Sequence, residues 1–232
     1  MFSYWRHRLE SMPVTPPPDP GGRVVIVSAH PDDEVLAVGG WIASNADRDL
    51  VFVTATDGEA SHPESPTISA DELGRRRPGE LVVALQALGV VDPHVVRLGL
   101  PDGEVAKHRD EVVEALRPLV AEADLVLAPF EADGHPDHDV LGEVAIELCG
   151  DATPLWRFPI WTWVWTTPED GERWFPHARR LDCRSAARGR KRRAVREFRT
   201  QVQPLSDDPR DAAVVVGALL DHALLAPEVV LV

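Results

Sequence analysis

From residue 23 onward the chain alternates between two kinds of hydrophobic pattern. Short runs rich in Val and Leu, "VVIVS", "LVFVTA", "HVVRLG" and "LVLAPF", are each followed by a longer stretch with apolar positions at helical spacing, over residues 34–46, 70–88, 104–123 and 137–148. Continuous apolar runs suit strands buried on both faces, and the longer period suits amphipathic helices. Strands alternating with helices predict βαβ units, hence an α/β, Rossmann-like fold with a mainly parallel sheet and helices on both faces.

Beyond Gly150 the pattern changes. "PLWRFPIWTWVWTTP" puts Trp161, Trp163 and Trp165 at alternate positions, which predicts a strand over 160–166 with a tryptophan-rich face. Such a stripe serves a core or a subunit contact more often than a ligand platform, so a homo-oligomer is compatible with the reading. An arginine-rich segment over 173–199, helical around 186–198, is followed by a last helix over 211–225 and the apolar tail "EVVLV". Residues 1–22 are proline-rich and aperiodic and read as an extended arm. Residues 23–232 then form one domain.

Composition narrows the function. At 232 residues and 44% apolar content the chain can bury a sizeable core. A formal net charge of −14 argues against nucleic-acid binding and against anionic membrane surfaces. The two cysteines, Cys149 and Cys183, lie far apart, outside any C-x-x-C pattern, so neither a disulfide framework nor a cysteine zinc site is indicated. Nothing near the N-terminus resembles a signal-peptide core, and no run reaches the roughly 20 apolar residues of a membrane helix. The expectation is a cytoplasmic protein acting on a small molecule. No G-x-G-x-x-G follows the first strand, so a dinucleotide is not the expected ligand.

The chemistry concentrates in two turns. "VSAHPDDEVLAVGG" sets His30, Asp32, Asp33 and Glu34 directly after the first apolar run, and "LVLAPFEADGHPDHDVLG" sets His135, Asp137 and His138 after the fourth. Ligands of open parallel sheets bind outside the carboxyl ends of the strands, where both turns fall. If the two strands are neighbours, His30, Asp33, His135 and His138 converge on one crevice. Two histidines and one carboxylate form a ligand set for Zn²⁺ in hydrolytic sites, with one position open. Pro31 and Pro136 hold the preceding histidines in extended geometry at the strand ends. The rival account makes Asp32, Asp33 and Asp137 helix caps and leaves the histidines incidental.

"AHPDDE" paired with "GHPDH" resembles the LmbE-like/PIG-L superfamily of zinc-dependent N-acetylglucosaminyl deacetylases. "TDGEASHP", "GRRRPGEL", "LGLPDG" and "FRTQVQP" fit positions typical of that family. The resemblance implies one zinc ion held by His30, Asp33 and His138, Asp32 as general base, His135 as the group stabilising the oxyanion or acting as acid, and Asp137 orienting His135. It also implies Arg77 and Asp102 as groups holding sugar hydroxyls; a helix pair of Arg77 with Glu80 and an Asp102–Gly103 turn are the structural alternatives. Asp57, Glu59 and His62 are further candidates for lining the same rim. The implied reaction is removal of an N-acetyl group from an amino sugar, with acetate released. In chemical terms Asp32 takes a proton from water and passes it to the amine, and a protonated His135 faces the oxyanion. Two alternatives keep a place: a zinc hydrolase for another amide or a phosphorylated anion gripped by the 173–199 segment, and a non-enzymatic sugar or nucleotide binder.

Overall fold

Alternate residues of the apolar strands go to opposite faces of one sheet. In the computed structural model, which describes residues 2–232, strands β1 (Val24–Ser28), β2 (Leu50–Thr56), β3 (His94–Leu100), β4 (Leu125–Pro129) and β5 (Leu155–Phe158) pair in parallel. Two short strands, β6 (Ala178–Arg180) and β7 (Val229–Leu231), extend the sheet by antiparallel pairing, giving the order β3-β2-β1-β4-β5-β7-β6. Val24 and Ile26 of β1, Phe52 of β2 and Leu127 of β4 join one core with helices α2 (Asp33–Ser44), α3 (Ala70–Leu88), α8 (Ser185–Val195) and α10 (Gly217–Leu225). Val25, Val27, Val53 and Val126 join the other, with α4 (Arg109–Ala121) and α5 (Pro136–Cys149). The period-2 pleat thus divides one apolar run between two cores.

The expected α/β, Rossmann-like layout is the observed one, and β1 and β4 are neighbours, with Val24 opposite Leu125 and Ile26 opposite Leu127. Chain order reverses between them, which makes this gap the topological switch point where such sheets place ligands. Helix α5 sits close against the end of β4 because Gly142 lacks a side chain: a Cβ there would lie 2.6 Å from Glu131 N and 2.7 Å from the Pro129 carbonyl.

Helix α2 breaks at Val38 (φ −123°, ψ 21°). The Gly40 and Trp41 N–H groups donate to Glu228 (2.6 and 2.8 Å), and Lys191 bridges Glu228 (2.7 Å) and the Ala37 carbonyl (3.3 Å). Backbone groups released inside a core need such partners. Helix α3 by contrast runs unbroken through Pro78, capped by the Ser69 hydroxyl, which accepts from Glu72 N at 3.2 Å.

Three expectations change. The extended arm is corrected over its first half: Met1 lies outside the described residues, and Phe2–Ser11 form helix α1. Trp5 and Leu9, four residues apart, are fully buried, and Trp5 meets Trp163 and Trp174 with ring centroids 5.9 and 5.4 Å away. The strand over 160–166 is absent. After β5 the chain forms the short helices α6 (Thr162–Trp165) and α7 (Pro168–Gly171). The cause is Asp133, whose carboxylate accepts the successive N–H groups of Ile160, Trp161 and Thr162 and so starts a helix where a ladder would have continued. The last helix starts later than expected, at Gly217, because Val214 and Val215 donate to the Gln201 carbonyl beside helix α9 (Arg199–Val202). Among the described residues no helix is long and apolar enough to cross a membrane.

Candidate active site

The two HPD turns meet above the β1/β4 gap. Asp33, on the first turn of α2, uses Oδ2 to accept the N–H groups of Ala29 (3.1 Å) and His30 (2.9 Å), which locks the turn. The same oxygen lies 3.4 Å from His30 Nδ1 and 3.3 Å from His138 Nε2, and those two nitrogens are 3.3 Å apart. Ligands about 2.0–2.1 Å from a tetrahedral zinc stand about 3.3–3.4 Å from one another. The triangle of donor atoms therefore has the span such an ion requires.

The far side of each ring supports the same reading. His30 Nε2–H donates to Asp102 Oδ1 (3.0 Å), and His138 Nδ1–H donates to Asp133 Oδ2 (2.7 Å). Each carboxylate fixes the tautomer that leaves a lone pair on the nitrogen facing the triangle, the outer-shell arrangement typical of metal-bound histidine. A second triple, His30, His135 and Asp137, also brings donor atoms within 4.8 Å. It fits less well, since His135 Nδ1 already accepts the Asp137 N–H at 3.3 Å.

The electrostatics follow from this crowding. Burial would lift the Asp33 carboxyl, but the imidazoles of His138 and His30 outweigh it and hold it well below the usual range. Burial likewise opposes charge on His138, yet Asp33 and Asp133 push it up to about 9, so a metal bound at Nε2 would have to displace a proton from the ring. Asp32 moves the other way: burial raises its carboxyl, partly countered by Arg77, whose Nη2 is 3.3 Å away. It occupies the N-cap position of α2 without making a side-chain capping bond. The capping account therefore fails for Asp32, and its carboxylate stays available to a ligand.

His135 caps α5 and projects beside His30, with ring centroids 4.9 Å apart. Burial, with the neighbouring charges of His138 and His30, pushes its pKa down to about 4. Its Nδ1 accepts the Asp137 N–H at 3.3 Å, so a proton carried by the ring sits on Nε2. Asp137 differs from the expectation. Its link to His135 is the backbone N–H, while its carboxylate accepts from Gly103 N (2.8 Å) and Val105 N (3.2 Å) and so ties the loop after β3 to α5.

A cavity of about 280 Å³ opens over these groups, lined on its polar side by Asp32, Arg77, Asp102, His135, Ser61 and Gln201. Arg77 is buried and donates to the Gly58 carbonyl (2.6 Å) rather than pairing with Glu80, which instead accepts from Thr200. Asp102 accepts from Ala60 N (2.9 Å) on the oxygen not facing His30. Of the wider rim, Asp57 is held by Arg97 (2.6 and 2.9 Å), Glu59 accepts from Asp102 N (2.9 Å), and His62 contacts the Ala212 carbonyl (3.1 Å); none of the three lines the cavity. No arginine or lysine of the 173–199 segment lines it either. Sequence reading missed Asp133, whose signal was a carboxylate five residues before a candidate ligand; Trp161 is named only within the tryptophan stripe and Gln201 only within "FRTQVQP".

Comparison with known proteins identifies the family. A family model described as PIG-L, GlcNAc-PI de-N-acetylase, matches residues 25–149. The chain is similar to the 1D-myo-inositol 2-acetamido-2-deoxy-alpha-D-glucopyranoside deacetylase of Corynebacterium glutamicum, at 34% identity over 161 residues, covering 59% of this chain and 56% of that protein. It is also similar to the Kineococcus radiotolerans protein of the same name, at 31% identity over 161 residues, covering 53% of this chain and 44% of the relative. The chain thus spans about half the length of the curated relatives it matches. The fold resembles that of N,N'-diacetylchitobiose deacetylase from Pyrococcus horikoshii, with TM-score 0.61 and 23% identity, over 84% of this chain and 75% of that one.

Proposed function

Because the chain belongs to the PIG-L, GlcNAc-PI de-N-acetylase family, we propose that it is a zinc-dependent amidohydrolase removing the N-acetyl group from an N-acetylglucosamine-type sugar. The observation that carries this is the triangle of His30 Nδ1, Asp33 Oδ2 and His138 Nε2, with edges of 3.3–3.4 Å, opening on a cavity that Asp32 and His135 line. One divalent ion held there supplies Lewis acidity, polarising the acyl oxygen and making water more acidic. Asp32 accepts the proton of the attacking water on its carboxylate, and its raised pKa makes it a stronger base than an ordinary aspartate. It then delivers that proton to the amide nitrogen as the C–N bond breaks, leaving acetate and a free amine. His135 Nε2–H donates to the oxyanion.

Arg77 holds Asp32 against Gly58, and it faces sugar hydroxyls together with Asp102. A neutral substrate suits the cavity better than a phosphorylated one. Its only lining arginine or lysine among the described residues, Arg77, already serves Asp32, and three carboxylates, Asp32, Asp33 and Asp102, share the lining. The relatives' substrate points to an amino sugar joined to a polyol.

The test is acetate release from a panel of N-acetylated amino sugars by zinc-loaded protein, with Asp32→Asn beside it. The variant should retain its zinc and its fold while kcat falls roughly 10²–10⁴-fold. Near-normal turnover in Asp32→Asn would move the base elsewhere.

A further inference from the structure

Two segments with little regular structure flank the cavity, and each brings to it a polar group that the acid–base chemistry leaves unused. Residues 57–69, between β2 and α3, contribute Ala60 and Ser61; the chain running from α9 to α10 contributes Gln201, Val214 and Val215. Asp211 joins the two. Its side chain is buried, Oδ1 accepts the Ser65 hydroxyl, and Oδ2 accepts the hydroxyls of Thr67 and Ser206. Two of these donors therefore come from the loop after β2 and one from the segment of Asp211 itself. The neighbouring Arg210 pairs with Asp208 instead. A buried carboxylate held by hydroxyls is satisfied only while both segments are in place.

The donors are committed by their own surroundings. Ser65 Oγ already accepts the N–H groups of Thr67 (3.1 Å) and Ile68 (3.0 Å), which occupy both of its lone pairs and direct its proton to the carboxylate. Ser206 Oγ accepts Asp208 N–H at 3.1 Å. A second link runs beside the first. The Ala212 carbonyl can only accept, so the buried His62 ring donates to it from Nε2 (3.1 Å) and accepts the Ser61 hydroxyl on Nδ1 (3.0 Å). Ser61 Oγ in turn accepts Gln201 Nε2–H at 3.3 Å. The Val214 and Val215 N–H groups donate to the Gln201 carbonyl at 3.0 and 2.9 Å and close the circuit. Its outer end is the Asp211 carboxylate, and its inner end, Ser61 and Gln201, is cavity wall.

We propose that Asp211 is a positioning residue for substrate binding: by clasping residues 57–69 to residues 203–216 it holds Ser61 and Gln201 in place against the sugar. It touches no reacting atom and acts through the two segments it joins. The sugar half of this statement rests on the deacetylase reading above; the clasp rests on the hydrogen bonds alone. Ser61 and Gln201 would meet the sugar equally before and during reaction, so opening the clasp costs KM and spares kcat.

Two measurements on the full chain separate the two halves. In the first, kcat and KM of zinc-loaded protein are measured with the most rapidly deacetylated sugar of the panel above. Asp211→Ala should raise KM about tenfold and Thr67→Ala about fivefold, with kcat within about twofold of the parent. Ser206→Ala removes a bond inside one segment and should leave KM within about twofold. Asp211→Asn should bring KM back to within about threefold of the parent, because its amide oxygen can face Ser65 while its NH₂ faces Thr67 and Ser206, whose oxygens keep a free lone pair. In the second, amide hydrogen exchange is followed without any sugar, and Asp211→Ala and Thr67→Ala should each speed it about tenfold in residues 57–69 and 203–216 together. Zinc content and melting temperature monitor folding, and Thr67, an exposed residue, is a mild site to truncate. Parental KM in both Asp211→Ala and Thr67→Ala, or faster exchange in one segment alone, would overturn the proposal. Exchange rising in both segments without acetate release from any sugar would uphold the clasp and remove the deacetylase reading.

Discussion

Asp133 offers the sharpest perturbation, because one buried carboxylate serves both the metal ligand and the aromatic turn. Its Oδ1 accepts Ile160 N–H, Thr162 N–H and the Thr162 hydroxyl at 2.8, 2.9 and 2.6 Å, and its Oδ2 accepts Trp161 N–H and His138 Nδ1–H at 3.0 and 2.7 Å. Asp133→Asn keeps the shape but replaces one oxygen by an NH₂ donor. With the amide oxygen toward His138, the NH₂ confronts the Ile160 and Thr162 N–H groups; flipped, it confronts Trp161 N–H and His138. Either way two buried N–H donors lose their acceptor, at about 1–3 kcal/mol each, so a stability loss of about 3 kcal/mol is expected. For a chain of this length that corresponds to a fall of roughly 6–12 °C in Tm. Replacing the carboxylate partner of His138 by a neutral amide should also weaken zinc binding roughly 10–100-fold. Calorimetric melting and zinc titration against a competing chelator read the two effects separately. A variant with parental Tm and parental zinc affinity would refute the reasoning.

Two further outcomes are expected. Arg77 lowers the pKa that burial raises at Asp32, so Arg77→Met should move the acid limb of kcat/KM upward by about one pH unit, and a limb that stays or moves down would show that Asp32 does not govern it. Burial, with Lys191 nearby, pushes His222 down to about 3 in the fold, below its unfolded value of about 6.5. Its contribution is therefore fully present above pH 6.5 and lost as pH falls toward 3, amounting to about 2 kcal/mol by pH 5. Urea unfolding at pH 7 and pH 5 should show a shallower pH dependence in His222→Leu than in the parent, and parallel curves would contradict the assignment.

The parts legible in the sequence are those governed by local pattern. Strands β1, β2 and β4 announce themselves because burial on both faces demands unbroken apolar runs, and the paired HPD turns stand out because no packing requirement explains them. The convergence of His30 and Asp33 with His138 follows once β1 and β4 are adjacent. What stayed hidden depends on distant partners. Helix α1 carries few apolar positions, and Trp5 is buried only because Trp163 and Trp174 meet it from the far end of the chain. The tryptophan segment satisfies period 2 and an i,i+4 pair equally well; the Asp133 carboxylate decides between them. The lowered pKa of His135 likewise arises from its burial and from two imidazoles, a hundred residues apart in sequence, that crowd it in space.

The central claim is that two turns far apart in sequence build one metal centre. Zinc per chain after dialysis, measured for the parent and for His30→Ala, Asp33→Ala and His138→Ala, tests it most directly. One zinc ion per parent chain, and loss of tight binding in each variant, is the predicted result, because a three-ligand site reduced to two no longer holds the ion. Full zinc retention in folded His138→Ala would place the metal elsewhere and contradict the account.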